Sequence, residues 1–252
     1  MTSWRGLVVP ALAILLWEVA LHGARTESDT IVAPSAVLAS LWQLSSDGTL
    51  LRTTFETLAA SCLGLAAGFG TGLLAGILLG SFPRAAAYLS TPIELIRPIP
   101  SVALIPLSLM ACGFGLSMEA AIVAFATFWP SLILSHTAIA TIDIRLVEVA
   151  RLLRLGPIAR VSKILLPAAL PRILTALRLA IGLALVVAVT VEIAANPQGL
   201  GYALIIAQQA LRPGDMLAVL IWVGILGWGL NAFLVVLERR LSSGQIQATS
   251  EI

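Results

Sequence analysis

The chain has 252 residues, 59% hydrophobic and only 11% charged, with a formal net charge of +2. A soluble domain carries about 25% charged residues, so this composition excludes one. Two cysteines and two histidines leave no disulfide framework and no metal-ligand cluster, and the thin charge gives no basis for binding nucleic acid.

A bilayer-spanning helix needs roughly 20 apolar residues. Six runs approach this length: Leu7–His22, Leu58–Leu79, Pro92–Cys112, Met118–His136, Ile173–Ala194 and Met216–Leu237. They are continuous rather than alternating, so they predict helices and not a β-barrel. The expected fold is an all-α polytopic membrane protein, one transmembrane domain over residues 1–252 with about six spans.

The first run contains Glu18 and lacks a small-x-small cleavage site, so it reads as an uncleaved anchor. Residues 23–50 follow as an external segment. There Pro34-Ser35 opens an amphipathic interfacial helix over Ala36–Leu44. The second run places Gly64, Gly68, Gly72, Gly76 and Gly80 four residues apart. Small residues at this spacing admit a closely packed neighbour. Each step advances about 400°, so the row drifts by roughly 40° and suits a crossing helix, in the same chain or in a second copy. Cys62 and Cys112 fall inside spans and read as buried apolar fillers.

The third run contains Glu94, Arg97, Pro98, Pro100 and Pro106. The prolines remove helical hydrogen bonds, and irregular backbone at membrane depth requires a protein or water-filled surrounding. Glu94 and Arg97 are three residues apart and can pair. Ionisable residues within a membrane mark function, which makes Arg97, Pro98 and Pro100, together with Glu192 of the fifth run, candidates for a translocation pathway. His22 and His136, near the ends of different spans, read as interfacial or pore-adjacent.

Between the fourth and fifth runs, Asp143 to Pro171 carries Arg151, Arg154, Arg160 and Lys163. At the centre of a bilayer these four would cost about 10–14 kcal/mol, so the segment must lie in water. Glu148 to Leu155 is rich in helix formers, and Gly156-Pro157 supplies a stop. A short charged helix held between two spans has the character of a docking element. After the fifth run, Asn196-Pro197-Gln198-Gly199 breaks the chain within a second external segment, residues 195–214, where Tyr202–Leu211 predicts a short helix.

With the N-terminus inside, Arg5, Arg84, the 143–171 excursion, Arg172 and Arg239-Arg240 fall on one side, against Arg25, Arg52 and Arg212 on the other. The basic side is cytoplasmic, so both termini and the excursion are expected there. No G-x-x-x-x-G-K-[ST], H-E-x-x-H, C-x-x-C or G-x-S-x-G occurs, so no nucleotide-hydrolysing, metal or catalytic site is expected in this chain.

Glu148-Val149-Ala150, with Pro167 nineteen residues after the glutamate, resembles the EAA loop of bacterial ABC importer permeases. Ala33-Pro34-Ser35, Arg97-Pro98-Ile99-Pro100, Pro167-Ala-Ala-Leu-Pro171, Gly199-Leu-Gly201-Tyr202 and Leu237-Glu-Arg-Arg-Leu241 extend the resemblance to the nitrate/sulfonate/taurine branch, over roughly residues 10 to 241. The resemblance implies an inner-membrane, type I importer subunit whose loop forms a coupling helix against a separate ATPase. It implies two copies each of permease and ATPase, with ATP and Mg on the ATPase and no cofactor on this chain. It also implies a periplasmic or lipid-anchored substrate-binding protein and a small anionic solute. Glu148, Ala150, Arg151, Arg154 and Gly156 are the expected ATPase-docking positions. Val149 replaces the loop's middle alanine, and Arg154 stands where glycine is usual, so the helix is expected to run about half a turn further, to Gly156-Pro157. A self-sufficient secondary transporter or channel is the alternative. It would use intramembrane charges such as Glu18, Glu192 and Glu94/Arg97, but the sequence has no internal repeat.

Overall fold

The computed structural model describes the backbone of residues 5–24 and 32–246, with side chains for part of the first stretch and up to Val236. Arg25 lies outside the described residues, as do the side chains of His22 and of the Leu237–Leu241 motif with Arg239 and Arg240. Eleven helices are described, in chain order: α1 Arg5–Ala24, α2 Pro34–Ser46, α3 Thr49–Ser81, α4 Pro83–Ile96, α5 Ile105–Cys112, α6 Leu116–Ala140, α7 Ile144–Leu152, α8 Pro157–Arg160, α9 Leu166–Ala194, α10 Gly199–Gln209 and α11 Pro213–Ile246. A 3₁₀ turn, Ser101–Leu104, precedes α5, and a π-helical turn, Val161–Leu165, joins α8 to α9.

Among the described residues, four helices are long and apolar enough to cross a membrane: Thr49–Ser81, Leu116–Ala140, Pro157–Ala194 and Pro213–Val236. The expected third span is not one helix. Its first half, α4, begins nine residues earlier, at Pro83 rather than Pro92, and the chain then turns by 79° into the second half. The prolines cause the turn. Pro98 and Pro100 cannot donate backbone hydrogen bonds, so α4 stops at Ile96 and helix resumes only at Ser101. The expected first span corresponds to α1, of 20 residues.

The α3–α6 packing organises the bundle. Gly64, Gly68, Gly72 and Gly76 are buried and lie against the backbone of α6. A Cβ on Gly72 would sit 2.5 Å from the carbonyl oxygen of Phe128, and one on Gly76 would sit 2.6 Å from that of Leu132. Gly70, off the row, has open space beside it. The facing side of α6 is also small: Thr127, Ser131 and Ser135 are buried. The Thr127 hydroxyl donates to the Val123 carbonyl and the Ser131 hydroxyl to that of Thr127, so neither needs a partner across the interface. The neighbour that the row accommodates is therefore α6 of the same chain.

Helix α9 closes this core with a second row of small residues, Ala176, Ala180, Ala184 and Ala188, all buried. Met118, Ile122 and Val123 of α6 pack on Ala184, Val187, Ala188 and Val191 at one end. Ala138 and Ile139 pack on Leu165, Ala169 and Ile173 at the other. Helices α2, α3, α10 and α11 make a third cluster around Leu50, Leu200 and Val219. The interfacial helix starts at Pro34, two residues before the expected boundary, and the backbone N–H of Ser35 in its first turn donates to Glu18 Oε2 of α1 at 3.1 Å. A carboxylate at a helix N-terminus meets both unpaired N–H groups and the helix dipole. Helix α10 starts at Gly199 rather than Tyr202. Cys62 and Cys112 are exposed rather than buried, because they face outward, where a small thiol suits lipid as well as a core.

Candidate functional site

Three groups of residues stand out, at three heights along the bundle. The first is the α7 platform. Pro157–Ala194 is 38 residues of near-continuous helix, about 57 Å at 1.5 Å per residue, against a hydrocarbon core of about 30 Å. Its first half, with Arg160, Lys163 and Arg172, therefore projects beyond the membrane and carries α7 with it. Asp143 caps α7 by accepting the N–H of Arg145 at 2.9 Å, and the Arg172 guanidinium donates to the Thr141 hydroxyl just before it.

The helix does not run to Gly156. It ends at Leu152, and Arg154 adopts φ 51°, the left-handed conformation. The N–H of Leu155 donates to the Ala150 carbonyl at 3.1 Å and that of Arg154 to Arg151 at 2.9 Å. This is a Schellman ending built on arginine where glycine is usual. The backbone thus keeps the geometry that glycine would give, and the expected extra half turn does not form. Glu148, Arg151, Arg154 and Gly156 are exposed, whereas Ala150 is fully buried and faces the bundle. Ala150 therefore seats α7 rather than presenting a contact to a partner. The exposed side also carries Val149, Leu152, Leu153 and Ile158, with Leu152 82% and Ile158 86% accessible. These apolar side chains share α7 and the turn after it with the exposed Glu148, Arg151 and Arg154.

The second group surrounds the α4–α5 bend. Arg97, Pro98 and Pro100 are exposed there. Among the described residues Arg97 makes no ion pair with Glu94, although its backbone is still helical, with φ −51° and ψ −39° and its N–H bonded to the Ile93 carbonyl. Arg97 instead borders two cavities. One, of about 300 Å³, reaches Ser101, Phe125, Trp129 and Ile133; the other, of about 190 Å³, contains Ser90, Glu94 and His136. Phe125 and Ile133 lie nine and seventeen residues into α6, about 14 and 26 Å along it, so Arg97 sits at membrane depth.

The third group is a buried polar ring at the end of the bundle opposite α7. Asn196 Nδ2 donates to Glu119 Oε2 at 2.7 Å, while its Oδ1 accepts the N–H of Gly115 at 2.9 Å. Glu192 Oε2 accepts the N–H of Gly201 at 2.7 Å, Glu56 Oε2 that of Gly199 at 3.0 Å, and Thr57 Oγ1 that of Leu200 at 2.9 Å. Three side chains thus satisfy the first three N–H groups of α10 and tie it to α3 and α9. Gly199 has φ 87° and lies against the Glu192 carboxylate, leaving no room for a Cβ. Glu192 is 2% accessible and does not join Arg97. Glu119 and Glu56 escaped the sequence reading and Asn196 was read only as part of a helix break, although a carboxylate one residue into the Met118–His136 run was a visible signal.

A long apolar bundle with a charged platform at one end and a broken span at membrane depth defines a polytopic membrane transport subunit. The comparisons agree. A family model described as "Binding-protein-dependent transport system inner membrane component" matches residues 68–246, and the chain belongs to that family. It is 32% identical over 238 residues to a candidate aliphatic sulfonates transport permease, SsuC, of Bacillus subtilis, covering 94% of this chain and 86% of the relative. It is 27% identical over 243 residues to the nitrate import permease protein NrtB of a Synechocystis species, covering 93% and 87%. Among solved structures, the MetNI methionine ABC transporter in inward-facing conformations aligns with a TM-score of 0.69 at 23% identity, over 76% of this chain and 95% of that one. An amino acid ABC transporter aligns with a TM-score of 0.61 at 21% identity, over 79% and 97%. These structures share the fold. The family does not favour the self-sufficient transporter.

Proposed function

We propose that two copies of this chain form the membrane pathway of an ATP-driven importer for a small anion, in the bacterial inner membrane with both termini cytoplasmic. Each copy docks on one of two ATPase subunits, which bind ATP and Mg, and takes solute from an external binding protein. The α7 platform carries this reading. It stands clear of the bilayer, is rigidly capped at both ends, and offers Leu152, Leu153 and Ile158 within a rim of Glu148, Arg151 and Arg154. An apolar centre with a charged rim suits a protein partner, with the rim setting register. The basic flank supports a cytoplasmic position for the platform. The sulfonates and nitrate in the names of two relatives support an anionic solute. So does an arginine at membrane depth, since charge there is costly unless used.

The test is affinity purification of the tagged chain from its native membrane, followed by reconstitution. The account predicts that an ATPase accompanies it and that ATP-dependent uptake of a sulfonate or nitrate requires the binding protein. A chain that purifies alone and transports without ATP would overturn it.

A further inference from the structure

We propose that Glu119 and Glu192 form a proton-binding site, which holds one proton between two buried carboxyl groups and so latches α10 onto the bundle. Both side chains are 2% accessible. Glu119 stands in the first turn of α6 and Glu192 close to the end of α9, and the two carboxyls are in hydrogen-bonding contact with each other. One oxygen of each has a donor: Glu119 Oε2 accepts from the Asn196 amide and Glu192 Oε2 from the N–H of Gly201. The other oxygen of each, Oε1, is buried and meets no protein donor. The Thr57 hydroxyl beside Glu192 does not supply one, since it donates to the Thr53 carbonyl at 3.0 Å.

Two ionised carboxylates would not be stable in this arrangement. They accept hydrogen bonds and donate none, and two like charges sharing one buried site do not both ionise. The surrounding groups offer no compensation. From α3, Glu56 brings a third carboxylate, whose charge is met by Arg52 at 3.0 Å. From α10 come only backbone N–H groups and Tyr202, which borders a cavity with Glu192 and Asn196. The Arg212–Asp215 pair at the start of α11 is closed on itself. Among the described residues no three His, Cys, Asp or Glu side chains are placed to hold a metal ion. A single proton answers both deficits, because it turns one carboxyl into a donor and cancels one charge. The remaining negative charge faces the N–H groups of Gly199, Leu200 and Gly201 at the start of α10, where an anion is favoured.

The sign of the pH dependence follows. A solvated glutamate ionises near about pH 4.3, so above that pH the folded chain carries one proton more than the unfolded chain. Stability therefore falls as pH rises, for as long as the pair keeps its proton. Glu119→Gln stands in for the protonated acid at every pH, since its amide can accept from Asn196 and donate to Glu192.

The experiment is infrared spectroscopy of the purified chain in lipid nanodiscs at neutral pH, wild type against Glu119→Gln, with unfolding in detergent followed across the neutral range. The wild type should show the C=O stretch of a protonated carboxyl, shifted in D₂O and lost on alkaline titration. Glu119→Gln should fold at wild-type yield and lack that band. The wild type's folding equilibrium should fall about tenfold per pH unit relative to the variant's while the proton is held. Absence of the band from the wild type overturns the proposal without recourse to any variant. So would the same band in Glu119→Gln, failure of that variant to fold, or parallel pH profiles of the two proteins.

Discussion

Arg154 bears a conformation that costs an ordinary residue about 1–2 kcal/mol, yet the Schellman hydrogen bonds of Leu155 and Arg154 hold it there. Glycine removes that strain but adds about 0.5–1 kcal/mol of chain entropy. Arg154→Gly should therefore raise the stability of the purified protein slightly, by at most about 1.5 kcal/mol, as read by thermal unfolding in detergent. A clear loss of stability would show that the arginine side chain holds α7 by contacts of its own. Asn196 is a stronger case. It pairs Gly115 and Glu119 at a site where it is itself 1% accessible. Asn196→Ala leaves both groups buried without partners and should cost at least about 1–3 kcal/mol. A melting temperature equal to wild type would show that water or a neighbour replaces the amide. Gly72→Leu should fail more severely, because the new side chain would collide with the Phe128 carbonyl, and overpacking typically costs about 1–3 kcal/mol. The readout is the yield and size of the folded protein, and normal values would contradict the close packing of α3 on α6.

At the scale of helices, hydropathy located the spans because a bilayer demands long apolar runs whatever the tertiary structure. The Gly64–Gly80 row was legible for a similar reason: close approach of helices leaves a fixed spacing in sequence. Its partner went unread, although α6 carries a matching four-residue row of small side chains, Thr127, Ser131 and Ser135. The Ala176–Ala188 row on α9 was equally visible in the chain but is less conspicuous than glycine. The α4–α5 bend was foreshadowed by Pro98 and Pro100, but its 79° angle depends on how both halves pack. Glu94 and Arg97, three residues apart, do not pair even though Arg97 keeps helical backbone angles. The absent pair has a consequence. Arg97→Gln should lower uptake strongly while leaving membrane yield near wild type, and adding Glu94→Gln should restore nothing. Loss of yield that is recovered in the double variant would show that the two charges do form a structural pair.

Across the whole molecule, the three groups divide the length of the bundle. The α7 platform stands at one end, the Arg97 bend lies at membrane depth, and the ring that anchors α10 closes the far end. Helix α9 with its π-helical turn runs from the platform past the bend to the ring. π-Turns inside long helices frequently occur at functional positions, and this one lies where α9 leaves the platform. The platform residues Glu148, Arg151 and Arg154 were readable because charge stranded between apolar runs must be solvated. The apolar Leu152 and Ile158 were not, since they are indistinguishable in sequence from membrane-facing leucines. The central claim is that α7 transmits ATPase motion to the pathway. It is tested most directly by Glu148→Arg, assayed for ATP-dependent solute uptake in proteoliposomes containing the ATPase and the binding protein. Glu148 is exposed, so the substitution should cost the fold little while placing the wrong charge in the docking rim. The account predicts normal insertion with uptake lost and hydrolysis no longer stimulated by the loaded binding protein, whereas uptake at the wild-type rate would contradict it.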